Sequence, residues 1–347
     1  MISKIAVCFL LTAISVFAQT PRSASTPSVV YVAHDSAAID HYRTNSAVVH
    51  ALVDRLVLAV TGQSDVGKAW RSLVSPSDKV GIKISTAGGP LFTTHRDVVN
   101  AIVDGLVAAG HPRSRIVVWD RELNRIKEAG YRPEAEGYQL LSIVPRDGYD
   151  AKAMVTAPLM GKLIWGDHDY KGDRGKIPLL SDTENTSDRS YFCRIVSTGV
   201  TKIINVPVMS ANEMNGISGC LYNVTIPNVD NWRRFSEGSG FGASSIADLY
   251  SNPIIARKVV FNLMDGLVAE YAGGPEPATN YAMHHATLYA SKDPVAIDAM
   301  ALRKIEEWRK QFNVPPIGQI AGYVEIASQL GLGNFDRNRI EIRNVGR

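Results

Sequence analysis

Apolar positions along this chain fall into two rhythms, short dense runs and longer runs spaced three or four residues apart. Ser28 to Ala33 (SVVYVA) is short and β-branched, and it predicts a first strand. Val48, Val49, Leu52, Val53, Leu56, Val57 and Val60 then recur at helical spacing, with Asn45 as the cap and Gly62 as the stop. Lys79 to Ile84 (KVGIKI) reads as a buried strand, and a Gly-rich loop from Ser85 to Phe92 follows it. Thr94-x-x-Asp97 resembles a capping box, opening a helix whose inner face is Val98, Val99, Ile102, Val103 and Leu106 and which Gly110 ends. Arg115 to Trp119 (RIVVW) is the next strand, stopping at Asp120.

Beyond that βαβ unit the pattern loosens. Gly130 to Arg189 is rich in Gly, Asp and Pro and predicts an irregular mid-chain excursion. Thr201 to Val208 is a further buried strand, Asn215 to Asn223 a small-residue loop, and Glu237 to Ser245 a flexible one. Ile254, Ile255, Val259, Leu263 and Leu267 give Pro253 to Tyr271 a helical period. Ala286 to Ala290 is a strand, and Asp293 with Pro294 opens a helix to Gln311. A last helix from Gly318 to Leu330 precedes a strand at Ile340 to Arg343. Strands alternating with helices predict an α/β fold, with a mostly parallel sheet flanked by helices and built from βαβ units. Residues 28–347 are expected to form one composite α/β domain.

Composition narrows the function classes. The 347 residues are 45% hydrophobic and carry a net charge of +3, which excludes intrinsic disorder and gives no nucleic-acid footprint. Three Cys are too few for a disulfide scaffold or an iron–sulfur cluster of four thiolates. The start of the chain changes two of these counts, the thiols and the net charge, which becomes +2 without Lys4. Lys4, the apolar run Ile5 to Phe17 and Val16-Phe17-Ala18 read as a secretory signal peptide over residues 1–18. The run is too short to cross a membrane, and no other segment approaches that length. Residues 19–27 contain the Ser/Thr/Pro stretch TPRSASTP and are expected to be a disordered linker. Cleavage would leave Cys193 and Cys220 as the only thiols, so the protein is expected to be exported with no transmembrane span.

Two familiar motifs are decoys. Gly62-x-x-x-x-Gly67-Lys68 resembles a phosphate-binding loop, but Ala69 stands where a hydroxyl should hold magnesium, and the motif follows a helix. Gly238-x-Gly240-x-Gly242 lacks both a preceding strand and the dinucleotide spacing. Metal signals are weaker still, and no metal ligand is assigned. Lys171 interrupts the calcium-like run Asp167-His168-Asp169 and Asp173, while His284 and His285 point to opposite faces of a strand. Cys193 and Cys220 lack a C-x-x-C partner, and both a mutual pair and two isolated buried thiols fit them.

The stronger signal is positional. In open α/β sheets ligands sit at the carboxyl ends of the strands. Lys83 ends one predicted strand, just before a loop in which Gly88 and Gly89 could turn backbone N–H groups toward an anion. Thr94 and His95 stand at the following helix start, Asp120 and Arg121 end the neighbouring strand, and Asn205 and Ser210 come from the third. With Asn223 these make a candidate cleft for a small anionic or hydroxylated ligand. A chemical version would use His95 or Asp120 as proton shuttle and Lys83 as electrostatic stabiliser. Against this, strand-end Asp residues often cap loops, and Lys83 could simply pair with Asp120.

Val80-Gly-Ile-Lys-Ile with Gly88-Gly-Pro, Thr94-His-Arg-Asp-Val-Val, Ile116-Val-Val-Trp-Asp-Arg, Ile204-Asn-Val-Pro-Val, Gly216-Ile-Ser-Gly-Cys-Leu-Tyr-Asn and Ser291-Lys-Asp-Pro-Val-Ala-Ile-Asp occur in this order. Together they resemble the family called domain of unknown function 362. The resemblance implies an α/β fold of bacterial or archaeal type and no defined activity or cofactor. Some members append a ferredoxin-like module, and this chain has no Cys cluster for one. The family usually shows Lys-x-His where this chain has Ser210-Ala-Asn212, and Lys-Asn where it has Tyr222-Asn223. The same strings are faintly similar, at fold level only, to nickel-pincer lactate racemases, and these replacements weaken that likeness.

Two readings follow. One is an exported protein, periplasmic or secreted, that binds a small anionic or hydroxylated molecule at the strand ends, with or without turnover. The alternative is a non-catalytic exported binding or partner module that has lost ancestral catalytic residues. An electron-transfer accessory is a third reading, which two thiols disfavour. Neither a cofactor nor a protein partner is identified by the residues.

Overall fold

A computed structural model describes residues 26–132, 137–144, 147–155, 189–235 and 245–346. The expected signal peptide, most of the linker, the calcium-like run and the Gly238–Gly242 motif lie outside the described residues.

Ten strands form one sheet, and most neighbours run parallel. They are β1 (Ser28–His34), β2 (Val80–Lys83), β3 (Val117–Glu122), β4 (Gln139–Val144), β5 (Lys202–Asn205), β6 (Val208–Asn212), β7 (Gly216–Ile217), β8 (Val259–Glu270), β9 (Ala282–Ser291) and β10 (Ile340–Asn344). The spatial order is β10-β1-β9-β8-β5-β2-β3-β4, with β6 paired to β8 and β7. Strands β8, β5, β2, β3 and β4 are parallel, as are β10 and β1, whereas β9 runs antiparallel to both of its neighbours.

Side chains alternate between two apolar layers, as the period-2 pleat requires. Ile82, Val118, Ile204, Phe261 and Leu263 pack on one face with α1 (Ser46–Thr61), α2 (Val66–Leu73) and α3 (Arg96–Ala108). Trp119, Ile203, Met264 and Tyr289 pack on the other, beneath α5 (Cys220–Thr225), α6 (Ser245–Ser251), α8 (Pro294–Gln311) and α9 (Tyr323–Gln329). The short helices α4 (Leu123–Glu128) and α7 (Pro253–Ala256) follow β3 and precede β8 respectively. Among the described residues no helix is long and apolar enough to cross a membrane.

Several boundaries follow directly from local chemistry. The Asn45 side chain accepts from the Val48 N–H and Gly62 closes α1 at φ +68°, a left-handed conformation that costs glycine little. Asp293 accepts from the Ala296 N–H, with Pro294 at the first turn of α8. Gly67 and Lys68 lie inside α2, so the phosphate-loop resemblance has no loop behind it.

Other expectations are corrected. Residues 253–271 are not one helix: only the short α7 is helical, and the rest is the twelve-residue strand β8. The 201–208 segment ends as a strand at Asn205, and the chain resumes as β6 alongside a later stretch of β8. Thr94 does not cap α3. His95 occupies that place without a side-chain cap, while the Thr94 hydroxyl donates to the Val206 carbonyl and accepts from the Ser85 N–H. Within the expected irregular stretch, residues 139–144 join the sheet as β4, and Tyr149–Met154 pairs with Tyr191–Cys193 in a separate two-stranded sheet.

Candidate functional site

The parallel strands β2, β3 and β5 lie side by side, and Lys83 and Asn205, the last residues of β2 and β5, meet Asp120 of β3 in one polar network. Lys83 is fully buried, and its ammonium has three N–H groups for three acceptors. They are Asp120 Oδ1 at 2.6 Å, the Ile84 carbonyl at 2.6 Å and Asn223 Oδ1 at 3.1 Å. Asp120 Oδ2 accepts in turn from both the N–H and the hydroxyl of Thr86, each at 2.7 Å. The Asn223 amide donates to Asn205 Oδ1 at 2.9 Å, and Asn205 donates to the Cys220 carbonyl and to Asn262 Oδ1, each at 2.9 Å. Burial pulls the Lys83 ammonium below the usual lysine range, against the opposing pull of Asp120.

Above this network lies a cavity of about 180 Å³. That is space for a small ligand, since one water occupies about 30 Å³ in the liquid. Its polar surface comes from Thr86, Asp120, Ser210, Ser218 and Asn223, and its apolar surface from Phe92, Val208, Met214, Ile226, Pro227 and Trp232. Arg121, Glu122, Arg125 and Glu276 add charges in balanced number. The Arg125 guanidinium clasps both oxygens of Glu276 at 2.9 and 3.0 Å. Arg121 donates to the Val229 carbonyl at 2.9 Å and lies 5.7 Å from the centre of the Trp232 ring.

The sequence-expected residues therefore separate into three groups. Gly88, Asp120, Arg121, Ser210 and Asn223 line the cavity. Lys83 and Asn205 lie beneath it and orient the lining groups. Gly89, Thr94 and His95 stand outside the lining. Gly88 is also structural, because a Cβ there would meet the Phe92 carbonyl oxygen at 2.3 Å. His95 faces Asp265 instead: its Nδ1 is 2.9 Å from Asp265 Oδ2, which also accepts the His95 backbone N–H at 2.8 Å. Burial is the largest influence on this imidazole and lowers its pKa, but the charge and hydrogen bond of Asp265 together raise it above the usual value.

The sequence reading missed Thr86, Met214, Trp232, Glu270 and the position of Tyr222. Glu270 is fully buried behind the wall: Oε2 is 2.8 Å from the Ser210 hydroxyl, and Oε1 accepts from the Ala278 N–H at 2.8 Å. Burial pushes its carboxyl up to about 7. Burial likewise pushes the Tyr222 phenol up to about 12, with an Asn212 hydrogen bond opposing it. Tyr222 and Ser210, two positions where the chain departs from the pattern it resembles, both line the cavity. Cys193 and Cys220 are separate free thiols, and burial raises both above the ordinary thiol range, Cys193 to about 12. Such thiols are poor nucleophiles. Among the described residues no three His, Cys, Asp or Glu side chains stand close enough to hold a metal ion together.

The arrangement has one chemical consequence for ligand choice. All three Lys83 hydrogens are spent, and Arg125 is paired with Glu276. The cavity thus offers hydroxyl, amide and carboxylate groups opposite an apolar wall, without an uncommitted lysine.

Comparison with known proteins adds the following. None of the curated proteins matches the chain. A crystal structure of a Thermotoga maritima protein, a structural-genomics target, aligns over 84% of this chain at 13% identity and a TM-score of 0.40. The chain covers 60% of the length of that structure. The family model described as domain of unknown function (DUF362) matches residues 80–303, which span β2 to the middle of α8 and include every residue of the buried network. The chain belongs to the DUF362 family.

Proposed function

We propose that this protein binds a small hydroxylated molecule in the strand-end cavity, in preference to a multiply charged anion. The observation that carries the reading is the polar floor of Thr86, Asp120 and Asn223, held rigid from below by Lys83 and facing an apolar wall. The floor's own donors are spent within it, so ligand hydroxyl groups donate to the remaining lone pairs of these acceptors without needing a net charge in the site, and the wall covers the carbon side of the ligand. Binding is favoured over catalysis, because Lys83 and His95 do not line the cavity.

A panel of polyols, hydroxy acids and monosaccharides tests this by thermal shift and calorimetry. At least one member is expected to stabilise the native protein. Met214→Trp, which fills the cavity from its partly buried wall, is expected to abolish that shift while leaving the unliganded melting temperature within a few degrees. Equal shifts in both proteins, no binder in the panel, or binding of polyphosphates alone would each reject the reading.

We also infer export, on the pattern of Lys4, Ile5 to Phe17 and Val16-Phe17-Ala18. N-terminal sequencing of protein recovered from the native host is expected to begin at or within a few residues of Gln19. A chain recovered with its first 18 residues intact would reject it.

A further inference from the structure

Strand β10 is one edge of the ten-stranded sheet, and it is more exposed than the other edge, β4. Four of its five residues are exposed, Ile342 at 56%. An exposed edge strand is a template for pairing, and this one lacks an inward-pointing charge or proline to block it.

The direction of its backbone groups fixes which pairing is possible. The Val345 N–H donates to the Val32 carbonyl, inward to β1. Because backbone direction alternates along a strand, Arg343 and Glu341 also turn inward, whereas Ile340, Ile342 and Asn344 turn their N–H and C=O groups outward. Among the described residues the Ile340 N–H is taken by the Arg337 carbonyl of the preceding turn, and nothing bonds to the outward groups of Ile342 and Asn344 or to the Ile340 carbonyl.

We propose that β10 pairs antiparallel with β10 of a second copy of this chain, on a two-fold axis through Ile342. In this register Ile342 faces Ile342 of the second copy, and Ile340 faces its Asn344. All three positions are of the hydrogen-bonding kind: Ile342 exchanges both of its bonds with its counterpart, and each Asn344 N–H reaches the facing Ile340 carbonyl, while the Ile340 N–H stays with Arg337. The non-hydrogen-bonded pairs between them place Glu341 opposite Arg343 and Arg343 opposite Glu341, where side chains approach most closely. In a single chain these two form a fork at 2.7 and 2.8 Å along the strand, and the pairing extends that fork into a four-charge ladder. A shift by one residue would bring inward-turned groups to the interface, and a shift by two would set Arg343 against Arg343 or Glu341 against Glu341 of the second copy, like charges face to face. The self-complementary contact is isologous and closes at two copies.

Sedimentation of the full chain tests this. The wild type is expected at twice the mass of one chain. Glu341→Arg sets arginine against arginine and Arg343→Glu sets glutamate against glutamate, so each variant alone is expected at the mass of one chain. Mixing the two restores both opposite-charge pairs and is expected to give a heterodimer. Ile342→Pro removes one outward N–H while leaving the bonds to β1, and it is expected to be monomeric with a near-native circular dichroism spectrum. A wild type that stays at single-chain mass at its highest soluble concentration overturns the proposal. So does a dimer that survives both charge variants, and so does a mixture that stays monomeric.

Discussion

Lys83→Met will cost the protein about 3–5 kcal/mol in urea unfolding, because it strands a buried carboxylate. Asp120 would keep only its two Thr86 donors, and Asn223 Oδ1 would lose its own. The double change Lys83→Met with Asp120→Leu removes both charges and is expected to recover most of that loss, since apolar replacements of a whole buried pair are often neutral. The Asn223 and Thr86 partners left behind set the residue of the cost. A single-variant loss below about 1 kcal/mol, the size of a solvated ion pair, would show that water reaches the pair and that the floor is not rigid. Such a result would also weaken the binding reading, which depends on that rigidity.

The second large effect is on pH. Ser210 Oγ lies 2.8 Å from both the Ala211 carbonyl and Glu270 Oε2, yet a hydroxyl has one hydrogen. Both contacts are satisfied when Glu270 carries a proton and donates it to Ser210, which then donates to Ala211. Among the described residues no cation is paired with Glu270, while Glu213, itself near Arg309, adds repulsion. The carboxyl pKa thus rises from 4.5 to about 7 on folding. The folded state therefore holds a proton that the unfolded chain releases. This contribution is complete below the unfolded value and is lost as pH climbs through the folded one. Stability is expected to fall between about pH 4.5 and pH 7 by on the order of 2–3 kcal/mol for this group. Glu270→Gln should flatten the fall. Asp298, which burial also pushes up to about 7, leaves a residual slope of the same sign. An unchanged slope in Glu270→Gln would show that Glu270 ionises without cost.

How far the sequence could lead is visible in single residues. Asn45, Gly62, Asp293 and Pro294 were readable because a cap acts within three or four residues of itself. The convergence of Lys83, Asp120 and Asn205 was readable because parallel strands in one α/β sheet end on one side. Strand β8 was not. Burial of nearly its whole length on both faces removes the alternation that marks a half-exposed strand, and Ile254, Ile255, Val259, Leu263 and Leu267 then imitate a helix. Glu270 was hidden by the same misreading, since its place beside Ser210 depends on β6 pairing with the far half of β8. The opposite error befell Thr94 and His95, whose local spacing suits a cap. The distant Val206 carbonyl and the Asp265 carboxylate take their side chains instead.

The Asn223 to Lys83 bond spans 140 residues, and the Ser210 to Glu270 bond another 60. Contacts of such separation close late, after the entropy of long loops has been overcome. A chain emerging from synthesis therefore cannot assemble the floor from its first two hundred residues, however well the early helices form. Any molecule that settles there recognises only the finished fold and deepens its energy well by mass action. Occupancy of the cavity is in this sense a certificate of completed folding.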